Sequence, residues 1–176
     1  MKGVIALATK ELILDKFGEE KWAEILQHAG ITDEPLIFVT SNVDDNLILS
    51  IIKSIGEVLN LSLEQIAEVW GDYWVNVYTQ KSYSIYYERA KSAKEFLLAL
   101  DDLHQAMTRN IKDANPPKFE YYHYDENTLI MTYISARGLI DFAIGAIKGV
   151  GKYYNEDIEV KKVDNNTIKV VFKQTY

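Results

Sequence analysis

The sequence predicts an α+β fold, in which a helical N-terminal subdomain packs on a C-terminal subdomain built from an antiparallel sheet and helices. Three observations carry this. Apolar residues recur at helical spacing from the N-terminus to about residue 111. Pro116 and Pro117 end that regime, because two consecutive prolines cannot continue a helix. Beyond them, β-rich runs twice flank turn-forming residues, at Asp125-Glu126-Asn127 and at Asp164-Asn165-Asn166-Thr167. The 176 residues suit one domain, with residues 1–60 as its helical part and 61–176 as its α+β part.

Taken in order, Val4 to Leu14 and the run Trp22, Ile25, Leu26 predict two short helices broken near Gly18, the second stopped by Gly30. Asp44 and Asp45 open a helix to about Leu59, with Ile48, Ile51, Ile52 and Ile55 on one face. Ser62 and Gln65 have capping-box spacing and start the next helix, which runs into Trp70-Gly71-Asp72-Tyr73-Trp74. An aromatic-rich segment, Tyr73 to Tyr87, leads to a second capping box at Ser92 and Glu95. From there one amphipathic helix is predicted through Ile111, with Leu97, Leu100, His104, Met107 and Ile111 in a single stripe. Phe119–His123 and Thr128–Ile134 read as one hairpin, Gly138–Tyr154 as a helix, and Ile158–Val163 with Ile168–Phe172 as a second hairpin. Gly145 and Gly149 would let the intervening helix approach a neighbour closely.

Composition excludes several chemistries. A formal charge of −7 and the absence of a long basic run argue against nucleic acid or an anionic membrane as the main partner. With no cysteine there is no disulfide, no thiolate nucleophile and no Cys-ligated metal. Lys10 and Glu11 interrupt the first apolar run too early for a secretory signal, and no apolar stretch reaches membrane-spanning length, so a cytoplasmic protein is expected. No phosphate loop, nucleophile elbow or paired-histidine motif is present, and an enzyme is not expected.

Two features carry the chemistry. His104 sits in an apolar stripe, where an imidazole is either a hydrogen-bonded core residue or a metal ligand. Tyr133, Ser135 and Arg137 alternate at the end of the second predicted strand, and a side-chain period of two brings two hydroxyls and a guanidinium to one face. Such a cluster suits a carboxylate. One ligand needs both features at once: iron porphyrin, flat and apolar, with a metal for the imidazole and propionates for the donor cluster. The cofactor expected is therefore heme b (Fe protoporphyrin IX), buried between the two subdomains. His28 and His123 have no metal-ligand partner at suitable spacing and are read as structural.

The sequence also resembles the H-NOX (heme–nitric oxide/oxygen binding) domains, relatives of the heme domain of soluble guanylate cyclase. The resemblance spans nearly the whole chain. It rests on Met1-Lys2-Gly3, Phe17-Gly18-Glu19-Glu20-x-Trp22, Gly71-Asp72-Tyr73-Trp74, Leu103-His104, Pro116-Pro117 and Tyr133-x-Ser135-x-Arg137. It implies that His104 is the proximal ligand, that Tyr133, Ser135 and Arg137 hold the propionates, and that Pro117 presses on the porphyrin. It further implies that Ile5, Trp74, Tyr78, Phe142 and Ile144 line the gas-binding side. Family members that hold O₂ place a tyrosine where this chain has Phe142, so NO and CO are the expected ligands. Tyr78 leaves an O₂-binding alternative open, because its hydroxyl either reaches the bound gas or turns to a backbone carbonyl. The partners implied are a histidine kinase, a cyclic-di-GMP enzyme or a chemotaxis receptor. A heme-free module for another flat apolar carboxylate would use the same Arg137 cluster and leave His104 in the core.

Overall fold

The computed structural model describes residues 1–123 and 125–173. Among them the chain forms α1 (Gly3–His28), α2 (Asp45–Leu59), α3 (Leu63–Tyr73), a π-turn (Trp74–Tyr78), α4 (Gln80–Glu88), α5 (Ala93–Leu98) and α6 (Leu100–Thr108). After these come β1 (Lys118–His123), β2 (Thr128–Ile134), α7 (Ile140–Tyr153), β3 (Ile158–Lys162) and β4 (Thr167–Phe172). The class is α+β with an antiparallel sheet, as the pattern of periodicities predicts. Two compact units emerge, residues 1–66 with 111–115, and residues 67–110 with 116 onward.

In the first unit α1 is interrupted at Gly18, whose φ of +84° a side chain would oppose. Ile13 and Ile25 of α1 and Ile48 of α2 are fully buried. Asp44 caps α2 by accepting from the Asn46 N–H at 2.9 Å, a bond worth about 1 kcal/mol. At the other end Asn60 takes a left-handed conformation, and the Leu61 N–H reaches the Gly56 carbonyl at 2.9 Å. Ser62 and Gln65 then exchange side-chain and backbone bonds at 2.8 and 3.2 Å, a complete capping box. The segment at 111–115 is tied in by the Lys2 ammonium, which donates to the Lys112 carbonyl at 2.7 Å.

In the second unit the sheet order is β1-β2-β4-β3, every pair antiparallel. The two hairpins thus join through β2 and β4. Alternation buries Phe119 on β1, Leu129, Met131 and Tyr133 on β2, and Ile168 and Val170 on β4. Phe96 and Leu97 of α5 and Ile140, Ile147 and Val150 of α7 complete that core. Among the described residues no single helix is long and apolar enough to cross a membrane.

The N-terminal part of α7 lies against α3 along a glycine seam. A Cβ on Gly145 would overlap the Ala67 carbonyl, and one on Gly71 would overlap the Gly145 backbone. The Asn76 amide bonds the Gly149 carbonyl at 3.2 Å, while Lys148–Glu68 and Lys152–Asp72 ion pairs flank the seam. Backbone meeting backbone cannot relax as a flexible side chain would. Gly145→Ala should therefore cost about 2–3 kcal/mol, lowering the thermal midpoint by roughly 5–10 °C. Differential scanning calorimetry of the variant checks this.

Candidate functional site

The predicted helix from Ser92 to Ile111 is two helices. Ser92 caps α5 by accepting from the Glu95 N–H at 3.1 Å, but the Glu95 carboxylate reaches back to the Lys91 N–H at 2.8 Å instead of the Ser92 N–H. At Ala99 the backbone leaves the helix (φ −86°, ψ −4°), and α6 ends at Thr108. The break has a packing reason. It lets α5 bury Phe96 and Leu97 completely, while α6 points Asp101 at β1 and keeps Leu100, Leu103, His104 and Met107 half-buried. Leu97 and Ile111 consequently leave the stripe that periodicity assigned them.

His104 is held from below by the start of β1. Its Nδ1 lies 3.2 Å from the Pro117 carbonyl oxygen, and two residues on, the Phe119 N–H donates to the Asp101 carboxylate at 3.1 Å. Gln105 donates to the other Asp101 oxygen at 2.8 Å. A carbonyl can only accept, so Nδ1 carries the proton and Nε2 presents a lone pair. Burial pulls the imidazole pKa below its ordinary value, with the Pro117 carbonyl and the Asp101 carboxylate pulling the other way. The ring is therefore neutral at neutral pH, the form that binds a metal. Phe119 stands between His104 (6.2 Å between ring centroids) and Tyr133 (5.8 Å), its Cα paired with that of Tyr133 across the hairpin.

Tyr133 is buried on the core face of β2. The strand ends at Ile134, so β periodicity does not carry the pattern on to Arg137; a tight turn does. The Gly138 N–H reaches the Ser135 carbonyl at 3.4 Å, the Arg137 N–H reaches the Ser135 hydroxyl at 3.3 Å, and Gly138 takes a φ of +64°. Burial still alternates along the turn: Ser135 and Arg137 are half-buried, Ile134, Ala136 and Gly138 exposed. The Ser135 hydroxyl accepts locally and keeps its own proton to donate.

Trp70, Trp74 and Tyr78 form a column of near-parallel rings, with centroids 5.1 and 5.6 Å apart and interplanar angles of 10° and 12°. Phe142 meets Trp70 edge-on at 5.4 Å, and the Lys81 ammonium lies 5.9 Å from the centre of the Tyr78 ring. Ile144 is half-buried against the sheet core, and Pro117 half-buried at the foot of β1. Ile5 belongs to the first unit, half-buried in the first turns of α1. His28 bonds the Ser54 hydroxyl at 3.2 Å and approaches Glu57 at 3.5 Å. The side chain of His123 lies outside the described residues.

Sequence reasoning passed over Asp101, Trp70 and the π-turn. Asp101 was legible as the residue one turn before His104 on the same face, and Trp70, Trp74 and Tyr78 by their spacing of four. No sequence signal marks the π-turn.

Among the described residues no cluster of three or more His, Asp or Glu could hold a metal ion. One neutral imidazole is a complete protein contribution only where a macrocycle supplies the remaining ligands, and the Tyr133–Arg137 donors suit that macrocycle's carboxylates. The residues present fit a heme. Fold and site together define an α+β domain whose half-buried imidazole and carboxylate-binding donors suit one prosthetic group.

The comparisons with known proteins agree. A family model described as Haem-NO-binding matches residues 2–162, and the chain belongs to that family. It is 26% identical over 165 residues to soluble guanylate cyclase gcy-34 of Caenorhabditis elegans, covering 91% of this chain and 24% of the relative. Identity to gcy-32 of the same organism is 24%, over 86% of this chain and 23% of the relative. The chain thus spans about a quarter of the length of these curated relatives. Among solved structures, an H-NOX protein from S. oneidensis in the Fe(II)NO state superposes with a TM-score of 0.87 at 15% identity, covering 99% of this chain and all of that one. An unliganded Fe(II) variant from K. algicida gives 0.86 at 22%, over 100% and 97% of the two chains. An oxygen-binding H-NOX domain related to soluble guanylate cyclases gives 0.83 at 24%, over 99% and 96%. At these identities the solved structures establish the fold.

The Asp101 clasp is testable without any cofactor. Asp101→Ala leaves the Phe119 N–H on the sheet edge without its acceptor and should cost about 1–2 kcal/mol in urea unfolding of the heme-free chain, whereas Asp101→Asn, which keeps an acceptor oxygen, should cost less than half of that.

Proposed function

We propose that this domain binds heme b and senses nitric oxide, with carbon monoxide as a second ligand, passing the signal to a partner protein or fused domain. The observation that carries the reading is the His104–Pro117 contact: a half-buried, neutral imidazole whose Nδ1 is committed to a backbone carbonyl, leaving Nε2 for iron. Bound ferrous heme would supply an open coordination position for a diatomic gas. The chain's own residues hold and orient the group. His104 would offer a nitrogen to the iron, Arg137 with Ser135 and Tyr133 would offer donors to the propionates, and the Pro117 carbonyl anchors the imidazole. The absence of cysteine rules out thioether attachment and supports the b-type group.

Selectivity for NO and CO over O₂ is supported by the aromatic column. O₂ needs a hydrogen-bond donor beside it, and Phe142, packed edge-on against Trp70, has none to give. Tyr78, whose ring lies flat on Trp74 with the Lys81 ammonium 5.9 Å from its centre, carries the hydroxyl of the column. Signalling to a separate or fused output is supported by membership in the Haem-NO-binding family and similarity to soluble guanylate cyclases. A histidine kinase, a cyclic-di-GMP enzyme or a chemotaxis receptor would be a suitable output.

The purified wild-type protein should show a Soret band that survives dialysis, and His104→Gly should lose it unless imidazole is added. An unchanged five-coordinate ferrous spectrum in the variant without imidazole would remove His104 from the role. Heme transfer to apomyoglobin separates the propionate donors: Arg137→Ala should release heme about 10-fold faster than Ser135→Ala, since a charge-assisted bond is worth about 1–2 kcal/mol more than a neutral one. Exposing the ferrous protein to air should give oxidation with no stable oxygen complex.

A further inference from the structure

The π-turn between α3 and α4 is held by side chains rather than by the backbone alone. Its closing bond runs from the Thr79 N–H to the Trp74 carbonyl at 2.9 Å, five residues back. The next carbonyl, of Val75, accepts from two side chains, the Gln80 amide at 2.6 Å and the Thr79 hydroxyl at 3.1 Å. The Thr79 oxygen also lies 2.9 Å from the Tyr87 hydroxyl. Thr79 has one proton and spends it on Val75, so Tyr87 must donate to Thr79. Burial pushes the Tyr87 pKa up to about 12, which keeps that proton in place. Tyr87 is itself fixed by stacking on Phe96 at 4.4 Å and by the Tyr154 hydroxyl, which donates to its carbonyl at 2.6 Å.

The turn decides where Tyr78 stands. In an α-helix residues four apart drift by about +40° around the axis. A turn closed by five-residue bonds advances each residue by roughly 82°, so four residues give roughly −30°. The steps from Trp70 to Trp74 and from Trp74 to Tyr78 therefore nearly cancel, and three rings share one column. Reversion to α pitch would swing Tyr78 by about 70° around the helix axis and turn its phenol in another direction.

We propose that Thr79, Gln80 and Tyr87 are positioning residues that fix the π-turn and thereby set where the Tyr78 phenol stands against a gas bound at the heme. The inference rests on the heme reading above, and the test keeps the two apart. The C–O stretching band of the ferrous carbon monoxide complex reads polarity beside the bound gas, and a double-mutant cycle reads whether two positions act on it together. Thr79→Val and Gln80→Ala should each shift the band when Tyr78 is present, and the shift should vanish in a Tyr78→Phe background. Thr79→Ser, which keeps the hydroxyl, should restore the wild-type band. A shift of equal size in both backgrounds, or none in either, overturns the proposal. Near-UV circular dichroism of the heme-free protein gives a second readout. The signal of the ring column should change in Thr79→Val and Gln80→Ala and return to that of the wild type in Thr79→Ser; an unchanged signal in the first two overturns the proposal. A wild-type chain that takes up no heme gives no carbonyl band, which refutes the heme reading and leaves the dichroism to decide the positioning role.

Discussion

A half-buried imidazole set among apolar side chains must satisfy one nitrogen without acquiring a charge, and much of the second unit follows from how this chain does so. The Pro116-Pro117 corner ends the helical regime and presents a carbonyl that has no competing N–H on the same residue. That carbonyl takes the Nδ1 proton of His104, and the next residue but one returns an N–H to Asp101, so α6 and β1 are cross-linked twice across a single helical turn. Either bond alone is worth about 1 kcal/mol. Together they define which nitrogen faces outward and how the ring is turned, which matters more for ligation than the energy does.

The other half of the site depends on backbone proximity. Gly71, Gly145 and Gly149 let α3 and α7 touch main chain to main chain, and this brings Phe142 edge-on to Trp70. Where α3 runs past the seam it changes pitch, and the freed carbonyl is satisfied by Gln80 and Thr79. A buried carbonyl left unpaired would cost about 1–3 kcal/mol, so the irregular turn persists only because those two side chains are there. The aromatic column and the glycine seam are thus parts of one arrangement.

Membership in the Haem-NO-binding family and superposition on H-NOX structures at 15–24% identity show how far sequence drifts while this arrangement of elements is kept. The chain spans about a quarter of the length of its curated guanylate cyclase relatives, and over that span the family match is nearly continuous.

Local signals settled the elements. The Asp44 cap, the Ser62–Gln65 box, the break at Gly18, the proline corner and both hairpins stand where capping, turn chemistry and periodicity put them, because each depends on residues within a few positions of one another. The candidate residues His104, Tyr133, Ser135 and Arg137 were legible for the same reason: an imidazole in an apolar stripe and a clustered set of donors are local anomalies. Only tertiary structure decided the rest. The break at Ala99 answers to Phe96 and Leu97 packing in one direction and Asp101 in another, a conflict that helical periodicity does not register. The turn that carries Arg137 replaces the strand that alternation suggested, since the sheet ends where its partner strand ends, at Lys118 opposite Ile134. The π-turn is stabilised by Tyr87, eight residues beyond Thr79, and by a neighbouring helix that admits it only because of glycine. Long-range packing sets these three features, and a pattern confined to neighbouring residues carries no record of it.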